Sequence, residues 1–316
     1  MTMTRAEAAQ WLGERDGFCI LTHRRPDGDT IGSAAVLCLG LRKLGKTAHI
    51  LENAEVTAKY LHLLAGLTKP AAQAEDTLVC VDVASASMLP AAFSHLQGNI
   101  GLRIDHHGAA ESFTQWELVE PSMGACGEII YEVLQLLDVN PDKKMAEALY
   151  TAVSTDTGCF RYGNTTAHSF RVAAACVEAG AQIAPINQAL FDTNSYARLR
   201  IQGWITENTR FYRDGKLALC ALPKAVEAAL GAAEDDLENI SGFPRSIAGV
   251  CMAATLREAP EGGVKISVRA VPGYDASAVC AAFGGGGHKG AAGASLAMPL
   301  EEAVPVVEKA LLETAL

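Results

Sequence analysis

FCILTHRRPDGDTIGSAAVLCLGLRKLG, residues 18–45, is the stretch whose reading decides the fold. An apolar run of strand length (18–22) leads into a polar turn around Pro26, Asp27 and Gly28; apolar residues at helical spacing follow and stop at Gly45. The turn crowds His23, Asp27 and Asp29 into seven positions of a strand-to-helix loop. The same rhythm continues downstream. Strands are expected at TAHILE (47–52), LVCVDVA (78–84) and IGLRIDHH (100–107), with helical segments around TAKYLHLLAG (57–66) and over SMLPAAFSHL (87–96). Buried β runs alternating with helices predict an α/β domain, a parallel sheet with helices on both faces. In such sheets ligands sit beyond the carboxyl ends of the strands.

Composition narrows the classes. A chain of 316 residues is long for one domain, and 49% hydrophobic residues suffice for a sizeable core. No apolar stretch approaches the roughly 20 residues that cross a bilayer, and the polar, amphipathic N-terminus is unlike a signal peptide. A cytoplasmic location is expected, with no membrane partner. The nine cysteines stand at least 17 residues apart, mostly among apolar neighbours, and read as small core residues rather than a disulfide frame or a zinc site. A net charge of −10 argues against gripping long duplex nucleic acid, whose binding depends on many Lys and Arg.

The strand ends carry the chemistry. Asp82 closes one strand, Asp105, His106 and His107 the next, and His23, Asp27 and Asp29 follow the first. Two helical stretches come after, MGACGEIIYEVLQLLD (123–138) and KKMAEALYTAVSTDTG (143–158); the second runs into a polar knot, 154–166, that holds Asp156. Each has a bland reading. Asp27, Asp29 and Asp82 could cap helices, Asp156 could bond its Thr neighbours, and a His pair in a loop is often structural. Together these readings weaken, because several separate strand ends would each carry carboxylate or imidazole by accident. Asp27, Asp29, Asp82 and Asp156 would bring four negative charges to one place, which two divalent cations cancel. Oxygen donors with imidazole and no thiolate suit Mn²⁺, or Mg²⁺ as the second choice. Two such ions ~3.5 to 4 Å apart can share a hydroxide nucleophile and stabilise charge at phosphorus. A phosphoester hydrolase is expected.

HRRPDGDTIGS, VDVAS, DHH and TDTGCF stand in an order and spacing that resembles the DHH phosphoesterase superfamily, over nearly the whole chain. The resemblance implies one ion on His23, Asp27 and Asp82 and another on Asp29, Asp82, His106 and Asp156, with Asp82 bridging. It also implies that His107 faces the substrate phosphate rather than a metal, beside catalytic Asp82, and that Asp105 orients a ligating imidazole from behind.

The C-terminal part adds a second αβ unit. A helical connector leads to strand KLALCAL (216–222), then to paired strands IAGVCMAATLRE and VKISVRAV around the turn APEGG (259–263), helix ASAVCAAF and the run GGGGHKGAAGA (284–294). Four glycines alone read as a linker, yet this run lies inside a domain. It follows a helix and has no acidic residue about 20 positions on, so it is no dinucleotide fingerprint. A backbone nest around Gly285, Gly286, Gly287 and His288 able to approach a phosphate is the reading left. The run resembles the DHH-associated C-terminal domain of the oligoribonuclease and pAp-phosphatase branch, in which the small domain closes over the metals with a glycine loop and a strand arginine, here Arg269. That implies an active site in the cleft between a DHH domain (1–185) and a smaller α/β substrate-binding domain (214–316), joined by a connector (186–213). Arg161 and Asn164, beside Asp156, are weaker substrate candidates.

The expected activity is metal-dependent release of mononucleotides from very short RNA, or removal of the 3′-phosphate from 3′,5′-bisphosphorylated adenosine. The expected partners are short oligoribonucleotides or a nucleotide bisphosphate, and a homodimer is left open. Scarce aromatic platforms, 6% of residues, agree with short substrates. Hydrolysis of linear di-adenylate, or a non-catalytic nucleotide sensor, are the alternatives.

Overall fold

The structure, a computed structural model, describes residues 1–108, 112–237, 239–259 and 262–314. Its chain divides into two units, Met1–Thr193 and Asn194–Leu316.

In the first unit the elements run α1 (Arg5–Gly13), β1 (Phe18–Leu21), α2 (Gly28–Lys43), β2 (Ala48–Leu51), β3 (Thr68–Lys69), β4 (Thr77–Val81), β5 (Leu102–Asp105), β6 (Trp116–Val119), α3 (Cys126–Gln135), α4 (Lys143–Asp156), α5 (Ala167–Glu178) and α6 (Ile183–Asn187). The six strands form one parallel sheet in the order β3-β2-β1-β4-β5-β6. Edge strands β3 and β6 are the two that the sequence pattern did not reveal, since a two-residue pair and WELV lack a long apolar run.

Alternation along the strands feeds two cores. Phe18, Ile20, Val79, Val81, Leu102 and Ile104 join the α-helices in the larger one. Cys19, Leu21, Leu78 and Cys80 pack instead against Leu89, Phe93 and Ile100. The second face departs from expectation: the segment read as a helix over 87–96 forms two 3₁₀ turns, Ala86–Met88 and Ala91–Asn99. Pro90 explains the break, because it lacks an N–H and drives Leu89 to an extended ψ of 144°. The piece around TAKYLHLLAG is likewise 3₁₀, over Ala58–Leu64.

Asp27 caps α2, its Oδ1 accepting the Thr30 N–H at 3.1 Å, while Arg42 and Lys43 occupy the last turn. A Cβ on Gly32 would fall 2.5 Å from the Ala148 carbonyl oxygen and 2.8 Å from Ala152 Cβ. Only glycine therefore lets α2 and α4 lie this close.

The second unit contains α7 (Tyr196–Asn208), β7 (Arg210–Tyr212), β8 (Leu217–Leu222), α8 (Lys224–Ala229), β9 (Met252–Glu258), β10 (Val264–Ala270), α9 (Ala276–Ala281), β11 (Gly286–His288), β12 (Ala291–Leu296) and α10 (Leu300–Thr314). Its mixed sheet runs β11-β12-β10-β9-β8-β7, with only the β8–β9 pair parallel. Leu219, Met252, Ile266, Val268, Val279, Val307 and Leu311 build the core beneath α9 and α10. Ile201 and Ile205 of α7 pack with Cys220 and Leu222 on the other side. The stretch read as a connector is thus divided: α6 stands in the first unit, α7 and β7 in the second. β9 pairs with β10 as expected, while Pro260 and Glu261 of the intervening turn lie outside the described residues.

The glycine run differs from the nest read in the sequence. Gly286–His288 is an edge strand that pairs antiparallel with Ala291–Gly293, leaving Lys289 and Gly290 as the turn. Packing is the reason: a Cβ on Gly285 would lie 2.3 Å from the Gly293 carbonyl oxygen, and one on Gly287, at φ 145°, 2.6 Å from that of Ala291.

Candidate metal centre

Six expected ligands converge beyond the carboxyl ends of the first unit's strands. His23 stands two residues past β1, and its Nε2 lies 4.0 Å from Asp27 Oδ1 and 3.8 Å from Asp82 Oδ2. His106 follows β5, with Nε2 3.8 Å from Asp29 Oδ2, 3.7 Å from Asp82 Oδ1 and 3.7 Å from Asp156 Oδ2. Donor atoms of His23, Asp27 and Asp82, and of Asp29, His106 and Asp156, fall within 4.8 Å of one another in each set. Asp82 belongs to the first and touches the second through His106.

Local structure aims these groups. Asp82 leaves β4 with φ 57°, a left-handed conformation that Asp tolerates better than most residues, while its N–H still donates to the Ile104 carbonyl at 2.9 Å. Asp29 and Asp156 lie at the first turn of α2 and the last of α4, the pair of helices that Gly32 brings together. Each ring tautomer is set from behind. His23 Nδ1 bonds the Arg24 carbonyl at 2.7 Å and His106 Nδ1 that of Met123 at 3.2 Å, so Nδ1 is the donor in each ring and both Nε2 atoms face the carboxylates.

The resemblance implies that Asp105 orients a ligating imidazole, but the rings of His23 and His106 rest on backbone carbonyls and Asp105 holds His107 instead. The His107 Nδ1 donates to Asp105 Oδ1 at 2.8 Å, and Nδ1 also lies 3.6 Å from Asp82 Oδ1. Asp105 is buried, and its Oδ1 also accepts the backbone N–H groups of His106 and His107.

The charge arrangement calls for cations. Burial first, then the neighbouring Asp156 and Asp27, pushes Asp29 well above the usual carboxylate range; burial first, then Asp29 and Asp27, does the same to Asp82. Asp156 is raised by burial and by Asp27 against the pull of His106. Asp105 moves the other way. Burial pushes it up, but the hydrogen bond from His107 and the charges of His107 and Arg103 outweigh that, and its pKa falls. His107 is raised, chiefly by its bond to Asp105 and against burial. Asp82 Oδ1 is buried and has no hydrogen-bond partner among the described residues, which is what a ligand atom awaiting an ion requires.

Several supporting groups escaped the sequence reading, which gives Asn164 and Arg161 only as weaker substrate candidates. Thr30 Oγ1 lies 2.6 Å from Asp82 Oδ2 and 3.1 Å from Asp27 Oδ1. Asp29 accepts the Ser33 hydroxyl at 2.9 Å and the N–H groups of Cys126 and Gly127 at 2.7 and 3.0 Å, where α3 begins. Asn164 Nδ2 donates to Asp156 Oδ2 at 3.0 Å and to the Gly124 carbonyl at 2.9 Å, so it positions a ligand. Arg161 turns back to the Gly158 carbonyl at 2.6 Å. Buried Arg103 donates to the Ala84 carbonyl at 3.1 Å and lies 3.8 Å from Asp105 and 3.3 Å from Glu117. Thr30 and Ser33 are hydroxyl residues in an otherwise apolar helix, a signal that was there to read; the long-range partners left none.

In the second unit, Arg269 pairs with Ala291 and Ala291 with His288, so Arg269 and His288 share one cross-strand row. Directly paired residues project to one face of a sheet. Here it is the face opposite Val268 and Ala292, which enter the core. Gly285, Gly286 and Gly287 run along the edge beside that row.

Comparison with known proteins follows this geometry. The family described as DHH family, N-terminal domain, matches residues 17–153, and the DHHA1 domain matches residues 221–315. A Thermus thermophilus protein named bifunctional oligoribonuclease and PAP phosphatase NrnA is 33% identical over 298 residues, 93% of this chain and 89% of its own. A Streptococcus mutans protein named probable bifunctional oligoribonuclease and PAP phosphatase NrnA is 24% identical, covering 89% of each chain. The crystal structure of an exopolyphosphatase-related protein from Bacteroides fragilis superposes with a TM-score of 0.88 at 26% identity, covering 98% of this chain and 96% of that one.

Proposed function

Because the chain belongs to the DHH family and ends in a DHHA1 domain, we propose that this phosphoester hydrolase degrades very short RNA to mononucleotides and removes the 3′-phosphate of 3′,5′-bisphosphorylated adenosine. One observation carries the reading. Two carboxylate–imidazole sets meet at Asp82, with both Nε2 atoms turned inward by backbone carbonyls that accept from Nδ1.

The donor set fits two divalent ions, manganese before magnesium: carboxylate oxygens and imidazole predominate, and a buried carboxylate oxygen stands unmatched. His23, Asp27 and Asp82 would hold one ion, and Asp29, Asp82, His106 and Asp156 the other. When bound, such ions activate water at neutral pH and stabilise the charge that develops at phosphorus.

The chain's own residues do the rest. Asp105 fixes the His107 ring and favours its cationic form, which puts an N–H on Nε2 for a phosphoryl oxygen. Asn164 holds Asp156 and Thr30 holds Asp82, so the carboxylates keep their places as substrate arrives. Arg269 and His288 supply positive or donor groups from one sheet row for a substrate of few phosphates, with Gly285, Gly286 and Gly287 leaving the edge backbone open to it.

A panel tests this: bisphosphorylated adenosine, di- to pentanucleotides, linear di-adenylate and pyrophosphate, each with Mn²⁺, Mg²⁺ or chelator. Turnover of dinucleotide and bisphosphate with Mn²⁺, lost with chelator and in Asp82→Ala, is expected. Full activity of Asp82→Ala, or turnover of pyrophosphate alone, overturns it.

A further inference from the structure

The amino-terminal half of the same sheet holds a second group of metal-capable side chains that phosphoester hydrolysis leaves unused. Cys19 of β1 pairs directly with His49 of β2, and Asp76 immediately precedes β4, which flanks β1 on the other side. One donor atom from each of Cys19, His49 and Asp76 falls within a 4.8 Å set. These residues stand apart from the loops that carry the carboxylate-rich centre, near the opposite ends of the strands.

Burial makes the group unusual. Cys19 is fully buried, His49 is 1% exposed, and the Asp76 side chain is 8% exposed. Neither ring nitrogen of His49 has a hydrogen-bond partner among the described residues; its Nε2 lies 3.5 Å from Asp76 Oδ2, which already accepts the Gln73 N–H at 2.7 Å. A buried imidazole with both nitrogens unmatched is costly, and interiors rarely leave one so. Burial, more than the nearby Lys69 and Arg42, lowers the His49 pKa against the pull of Asp76, so the ring is neutral and offers a lone pair.

We propose that Cys19, His49 and Asp76 form a zinc site separate from the carboxylate-rich centre, clasping β1, β2 and the entry to β4. Ligand chemistry selects the ion. Thiolate with imidazole and carboxylate is a zinc donor set, whereas manganese and magnesium prefer oxygen. Charge agrees, since one thiolate, one carboxylate, a neutral imidazole and a divalent ion sum to zero and a neutral assembly tolerates burial. Binding releases the Cys19 thiol proton to solvent as the Zn–S bond forms. Lys69 and Arg42 act against the ion, and burial, then Asp76, pushes the Cys19 thiol up to about 12, so an ion has to displace that proton to gain the thiolate.

The full-length protein, stripped of metal and saturated with Mn²⁺, is titrated with Zn²⁺ and counted by native mass spectrometry; Co²⁺ reports thiolate ligation by its charge-transfer absorption. Wild type should take one more zinc than Cys19→Ala or His49→Ala, and only wild type should show the thiolate band. Cys38→Ala, which removes a buried thiol outside the group, should behave as wild type. Unchanged circular dichroism and Mn²⁺ uptake establish that the variants fold. A second measurement needs no variant: in urea just below the unfolding midpoint, where Cys19 becomes exposed by unfolding, zinc, but not manganese, should slow its alkylation in wild type. Equal zinc counts, a band that survives Cys19→Ala, or no protection overturns the site.

Discussion

Asp82 concentrates the demands of the centre in one side chain. It is buried, left-handed in its backbone, adjacent to two other carboxylates and short of one hydrogen-bond partner. Without metal it must take up a proton or bear the repulsion, so the centre lowers stability for the sake of chemistry. Asp82→Asn keeps the Thr30 contact and removes the charge; in chelator at neutral pH it should be more stable than wild type by about 1 kcal/mol, seen as a higher Tm, while losing activity. The sign follows from linkage. The folded pKa of Asp82 is raised, so its penalty is present above the ordinary carboxylate pKa, where the unfolded chain is ionised, and fades as pH falls to that range. The Tm gap should therefore close on acidification, and a gap that widens would contradict the assigned burial. Six ligand candidates were visible in the sequence because carboxylates and imidazoles at strand ends need a reason. Arg103 was not, and Asn164 stood out only as a weaker substrate candidate rather than as the holder of Asp156, since an isolated Arg or Asn does not show its partners.

At the level of elements, the α2–α4 contact decides where Asp29 and Asp156 stand. Gly32 sits in the middle of α2, where helix propensity alone favours Ala by about 1 kcal/mol. The contact argues the reverse, because the added Cβ meets the Ala148 carbonyl oxygen at 2.5 Å. Gly32→Ala should lower stability, by about 1–3 kcal/mol in a urea melt as overpacking does, and reduce Mn²⁺ affinity as the helices part. A gain in stability would show that the helices have room. Strand alternation was legible for β1, β2, β4 and β5, and α2 was bounded by its cap and by Gly45. The 3₁₀ turns were not, because apolar spacing reports a buried face without stating the hydrogen-bond pattern, and Pro90 settled that locally. The glycine run shows the same limit: composition suggested a linker and its place in the domain a backbone nest, whereas pairing with Ala291–Gly293 made it a strand.

For the molecule as a whole, charge and division of labour matter most. With a net charge of −10, attraction for phosphates is local, which favours substrates of a few phosphates over long strands. The second unit offers Arg269 and His288 on one row of its sheet. Arg269→Ala should raise KM or lower kcat/KM for dinucleotides and the bisphosphate, with Mn²⁺ binding unchanged because all six candidate ligands lie in the first unit. An unchanged kcat/KM would remove Arg269 from substrate binding. The nine cysteines form no disulfide, although the zinc site proposed on Cys19 departs from the sequence reading, and no helix among the described residues is long and apolar enough to cross a membrane.

What the amino-acid sequence determined by itself is the alternation of strands and helices, and with it the identity of the charged groups that collect beyond the strand ends. Period and residue type are local properties, and the rule for parallel sheets turns them into a site. Tertiary structure alone decided which nitrogen of each imidazole faces inward, which hydroxyl and amide groups steady the carboxylates, and that Cys19, His49 and Asp76 are neighbours. Those relations join residues from distant parts of the chain, and only close packing brings their atoms within reach.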